Sequence, residues 1–205
     1  MKREPKRLYD PNNAERLIYA VVLEMTRCGF WTGLGNVLSV ILLLQEGFEI
    51  PYNFSFVLQG RWIQSEQFSE SVARLVRRHY LSLFLTCPYL EEALIVRSRR
   101  QVTRSWLKDP DFRFRVHVMR YVLETLSDHV TGRCLGAWVW AAVALTRYRE
   151  AREAVRFVRK KSPETPVPQV ETMLKTLLHL HQQCYLRGFV NHREFGAFHS
   201  LSALD

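Results

Sequence analysis

Two groups of residues in this chain have side chains suited to site chemistry. His179, His181 and Cys184 lie close together, with His192 and His199 further on, and imidazole and thiolate are the common ligands of zinc. Residues two apart on a helix diverge by about 200°, so His179 and His181 cannot share an ion, and the spacing fits no standard zinc pattern. No metal or other cofactor is expected. The second group is basic: Arg97, Arg99, Arg100 and Arg104, with Arg74, Arg77 and Arg78 upstream and Tyr80 and Trp106 between and beyond them. Guanidinium groups that neutralise phosphates, together with aromatic rings that stack on bases, are what a nucleic-acid-binding protein needs. A solvated helix face, or attraction to an anionic lipid surface, would use the same residues. No Gly-rich phosphate loop, Gly-x-Ser-x-Gly or paired-carboxylate arrangement stands out. A catalytic cluster is therefore not nominated, and a role other than enzyme is expected.

The elements that must position any site begin with Ala137-Trp138-Val139-Trp140-Ala141-Ala142-Val143-Ala144-Leu145. This stretch is apolar all the way round and too short to cross a membrane, which predicts a helix buried on every side. The chain has 205 residues, 47% of them apolar, enough for one domain with a real core. Its net charge of +9 favours acidic partners: nucleic acid, anionic headgroups or an acidic peptide. Cys28, Cys87, Cys134 and Cys184 form no Cys-x-x-Cys pair and the amino terminus resembles no signal peptide, so free thiols in a reducing, cytoplasmic setting are expected.

Helical signals run through most of the chain. The spacing of Leu17, Ala20, Val21, Glu24 and Cys28 predicts a first helix over 13–28, closed by Gly29. A short second helix is expected over 36–46, then a less regular, extended connection over 47–65. Phe68, Val72, Leu75, Val76, His79 and Leu83 predict a helix over 65–85, and another is expected over 89–108. Asp109-Pro110-Asp111 starts a helix to about residue 128. The central apolar helix is expected from Gly132 on into the charged stretch 147–159, before a Pro-rich linker at 160–168. Helices over 169–187 and 191–201 would complete an all-α, single-domain bundle.

The segment from Tyr121 to Trp140 resembles the first homology motif of the B-cell lymphoma two (Bcl) family of apoptosis regulators, in which an amphipathic helix ends in an acidic turn and Trp-Gly-Arg opens a central apolar helix. Gly132 and Arg133 match, Glu124 and Asp128 fall at acidic positions, and Trp138 and Trp140 fall where the family carries aromatics. The motif's own tryptophan is missing beside Thr131. Tyr9-Asp10 and the helix ending Arg27-Cys28-Gly29-Phe30-Trp31 are similar to the family's amino-terminal motif, and Phe189 to Phe198 is similar to its second motif, with Arg193-Glu194 in place of twin glycines.

The resemblance implies a Bcl-like bundle that binds the amphipathic death-motif helices of pro-apoptotic relatives in a surface groove. It further implies that Arg133 grips the aspartate of the incoming helix, while Val122, Glu124, Leu126, Val130, Gly132 and Trp140 line the groove and Phe198 lies near one end. Where the chain's own third motif would fall, Leu90, Leu94 and Ser98 are followed by Arg99 in place of aspartate. A receptor, and hence an anti-apoptotic role, follows from that. Divergence in every motif fits a viral homologue, acting in the cytoplasm or peripherally at the mitochondrial outer membrane. A second copy of the chain and an anionic membrane surface are further partners compatible with this reading. The alternative is a basic helical nucleic-acid-binding protein using Arg97, Arg99, Arg100 and Arg104.

Overall fold

The computed structural model describes residues 12–48, 50–59, 62–86, 91–96, 105–127, 135–148 and 150–182. Among them the order is α1 (Asn13–Arg27), α2 (Leu34–Phe48), β1 (Val57–Gln59), β2 (Trp62–Gln64), α3 (Glu66–Arg77), β3 (Leu81–Thr86), β4 (Glu91–Val96), α4 (Pro110–Ser127), α5 (Leu135–Arg147), α6 (Ala151–Lys161) and α7 (Val167–Gln182). The chain is a helical bundle with two small antiparallel hairpins, β1–β2 and β3–β4.

The apolar stretch is buried as its composition requires: from Ala137 to Leu145 no residue of α5 is more than 7% exposed. It packs on α2, α6 and α7. Helix α2 is nearly as greasy, with Val37, Val40, Ile41, Leu43 and Leu44 buried, and it joins α5 to α1, which in turn carries α3 and α4. Helices α6 and α7 are one-sided. Ala151, Ala154, Val155 and Val158 of α6, and Val170, Met173, Leu174 and Leu177 of α7, supply the inward faces. The irregular segment after α2 is held by two glutamines: Gln45 donates to the Phe54 carbonyl and accepts from its amide, both at 2.9 Å, and Gln67 accepts from the Ser55 amide at 2.6 Å. That clamp seats Tyr52 and Phe54 in the core, and burial pushes the Tyr52 hydroxyl well above its usual pKa.

Helix ends follow local chemistry. Asn12 caps α1 in a reciprocal box with Glu15. At the other end Gly29 takes φ of 76°, and the Phe30 amide reaches back to the Met25 carbonyl at 2.9 Å, the Schellman closure in which glycine avoids a left-handed penalty. Within the Pro-rich stretch the break between helices is short: Ser162 ends α6, and α7 begins at Val167 with Pro168 in its first turn.

Three expectations are corrected. The helix expected over 65–85 stops at Arg77, because His79 adopts φ of 63° and the Tyr80 amide closes on the Leu75 carbonyl. In place of a helix over 89–108, Glu91–Val96 pairs with Leu81–Thr86 in a hairpin with Leu83 opposite Leu94. The central helix does not run on to residue 159. It ends at Arg147, and Glu150 starts α6 as a separate cap.

A candidate partner-binding face on helix α4

Asp109 starts α4 by accepting the Asp111 amide at 3.0 Å, with Pro110 in the first turn where its missing N–H costs nothing. Phe112, Val116, Met119, Val122, Leu123 and Leu126 face the core. The orientation is locked by an ion pair to α1: Arg120 meets Glu24 with both ends of its guanidinium, Nε at 3.0 Å and Nη2 at 2.9 Å. Glu24 is 3% exposed, and Arg27 adds a second cation at 3.5 Å. The hydrogen bond to Glu24 raises the Arg120 pKa further above its already high value. Beside the pair, burial and the charges of Glu124 and Glu24 push the Cys28 thiol up, which disfavours its thiolate.

With α4 held this way, a second apolar line runs along the helix, exposed at Phe114 and packed in part against the core at Val118 and Tyr121. Phe114 is 67% exposed, and Val118 and Tyr121 on the same line are half-buried. Steps of four and three residues keep the three side chains within about 60° of one another. Arg113 and His117 are exposed along one flank, with Glu124 beyond them. Such a row combines apolar side chains in line with a charged edge, the features that helix-to-helix contacts use.

Of the expected groove residues, Val122 and Leu126 are fully buried and Trp140 is 4% exposed against Phe157 and Lys161. They pack the core, Val122 and Leu126 on the inward face of α4 and Trp140 on α5. Glu124 is exposed and lies 3.9 Å from Arg27. Val130, Gly132, Arg133 and Phe198 lie outside the described residues, as do Arg97, Arg99, Arg100, Arg104, Cys184, His192 and His199. Phe114, Val118 and Tyr121 were not singled out in the sequence, although their spacing of four and three is visible there. The stronger stripe 112, 116, 119, 123, 126 on the same helix hides it.

The aromatics expected to stack on bases are otherwise engaged. Tyr80 and Trp106 stack on each other at 6.1 Å and Trp106 meets Tyr19 edge-on at 5.5 Å. Arg74 binds Glu15 at 2.6 Å. Exposed basic residues gather instead on α6, where Arg152, Arg156, Arg159 and Lys160 cover the outer face. An open hollow of about 470 Å³ lies between the starts of α2 and α3, lined in part by Leu34, Leu38, Ile63 and Phe68, and none of the expected residues borders it. Among the described residues no helix is long and apolar enough to cross a membrane. Compared with known proteins, the chain matches no family model, no curated protein and no solved structure.

Proposed function

We propose that this protein is a receptor for amphipathic helices and regulates apoptosis by sequestering death-motif helices of pro-apoptotic proteins. The observation that carries the reading is the two-thirds-exposed Phe114, in line with the half-buried Val118 and Tyr121, on a helix that already buries its other apolar face. A helix bound along this face would cover Phe114 together with the outer parts of Val118 and Tyr121. The resemblance around Gly132 and Arg133 supplies the identity of the partner. Arg133 follows α4 and precedes α5 in sequence, and a guanidinium there would pair with the partner's aspartate. Action in the cytoplasm or at the mitochondrial outer membrane belongs to the same proposal.

The test is a panel of labelled pro-apoptotic helix peptides titrated with the full chain. Submicromolar binding that weakens at least tenfold in both Phe114→Ser and Arg133→Ala supports the reading. Binding by no member of the panel sinks it. A second reading, nucleic-acid binding, is favoured by one observation, the uninterrupted row Arg152, Arg156 and Lys160 on α6. Its test is RNA or DNA binding that collapses with added salt and with charge reversal along that row.

A further inference from the structure

The hollow between the starts of α2 and α3, with β2 beside them, belongs to no part of the α4 face. Its base is apolar. Leu38 and Phe68 are buried, and Leu34 and Ile63 are partly buried and pack against the core. The lining comes from two short stretches of chain, 34–38 and 63–69, far less than the about 20–30 residues a side of a standard protein interface. Its volume of about 470 Å³ falls instead within the roughly 300–1,000 Å³ of small-molecule sites.

Gly35 borders this space. Its φ lies outside the left-handed region and a Cβ there would meet no atom within 4 Å, so neither backbone nor crowding calls for glycine. Glycine in a helix gives up stability relative to alanine. What the missing side chain leaves is room at the mouth of the hollow.

The polar groups around the mouth are mostly acceptors. The Ser65 side chain caps α3 by accepting the Phe68 amide at 3.3 Å, and the Ser69 hydroxyl donates to the Ser65 carbonyl at 3.1 Å, which leaves the Ser69 lone pairs open. Glu66 is exposed, and its carboxylate has no ion pair or hydrogen bond among the described residues. No basic residue lines the hollow, although the chain carries a net charge of +9. An acidic residue in the first turn also answers the dipole of α3, and that role leaves its oxygens open to a ligand.

We infer that the hollow is a binding site for a small amphiphilic cation. An apolar ring rests on Leu38, Ile63 and Phe68, and an ammonium head donates to the Glu66 carboxylate, an acceptor suited to a charge-assisted hydrogen bond.

Three probes that share an indole ring and differ in the head test this: tryptamine, a cation; tryptophol, which is neutral; and indoleacetate, an anion. Each is titrated into the full chain and followed by heteronuclear NMR. The Gly35 and Ser69 amide signals should move, and tryptamine should bind about fivefold tighter than tryptophol, the worth of one exposed ion pair. Indoleacetate should bind most weakly. The net charge of the chain alone would give the reverse order. Glu66→Gln should bring tryptamine level with tryptophol and leave tryptophol unchanged. Gly35→Phe and Ser69→Phe, which each add a ring at the border, should weaken all three probes about tenfold with unchanged far-ultraviolet circular dichroism. Tightest binding by indoleacetate overturns the proposal, as does a tryptamine affinity that Glu66→Gln leaves untouched. So does undiminished binding in both filled variants, or no movement at Gly35 and Ser69 with any probe.

Discussion

Trp138 is the largest of the fully buried side chains, and its indole N–H has no hydrogen-bond partner among the described residues. An unpaired buried donor costs roughly 1–3 kcal/mol, which offsets part of the benefit of burying the ring. Trp138→Phe removes the donor and leaves a small void, so urea unfolding should find it within about 1 kcal/mol of the parent. Trp138→Ala should lose about 3–5 kcal/mol to the cavity. The Glu24 carboxylate on α1 sets a different balance. Arg120→Ala leaves the Glu24 carboxylate in the core with only Arg27 nearby, and the expected loss is about 2–3 kcal/mol, below the full cost of orphaning a buried charge because Arg27 remains. Glu24→Gln strands only Arg120, whose side chain is 38% exposed and can hydrate, so the loss should be nearer 1 kcal/mol. If the two substitutions cost the same, the asymmetry drawn from burial is wrong. From sequence, Glu24 looked like one step of an apolar stripe. Its spacing placed it on the inward face correctly, but its partner lies 96 residues away, where no periodicity connects them.

At the scale of elements, the ends of helices decided where local reading succeeded. Gly29 closes α1 as its residue type announces, whereas α3 ends in the same closure with a histidine in the glycine position. Nothing in Arg77-Arg78-His79-Tyr80 marks a stop, so the apolar spacing read straight through to Leu83. Beyond it, Leu81-Ser82-Leu83-Phe84-Leu85 and Ala93-Leu94-Ile95-Val96 are short apolar runs, which periodicity alone assigns to helix or strand with equal ease. Tertiary pairing with Thr32 and Gly33, far away in sequence, settles them as strands. The central helix was readable because an all-round apolar run of nine has one stable environment. Its end was not, since the charged residues after Arg147 continue a helical pattern in α6 after a break. His79→Gly should test the closure directly. Relieving a left-handed side chain gains about 1 kcal/mol, and the greater freedom of glycine in the unfolded chain takes part of it back. Thermal unfolding should rise by about 2 °C, while His79→Val, which tolerates positive φ worst, should fall.

At the scale of the whole molecule, the basic row of α6 and the apolar line of α4 lie on different helices, and that separation lets the two functional readings be told apart in one experiment. Residues 147–161 contain seven basic and two acidic residues, a net +5 out of the chain's +9. Arg147 and Lys161 lie over the Phe157 ring at 5.7 and 5.9 Å, and Arg159 donates to the Thr165 carbonyl at 3.0 Å. Arg152, Arg156 and Lys160 form the exposed row beyond them. A duplex held by those three contacts would release about three counterions, and its affinity would fall about 40-fold between 50 and 200 mM salt. A helix held on Phe114, Val118 and Tyr121 owes most of its binding to apolar burial, which added salt does not screen, so its affinity should change less than about threefold over the same range. Charge reversal of Arg152, Arg156 and Lys160 should abolish the first interaction and spare the second, and Phe114→Ser should do the opposite. A peptide interaction with the steep salt slope would place the partner on α6, and the apolar line of α4 would then lose its assigned role.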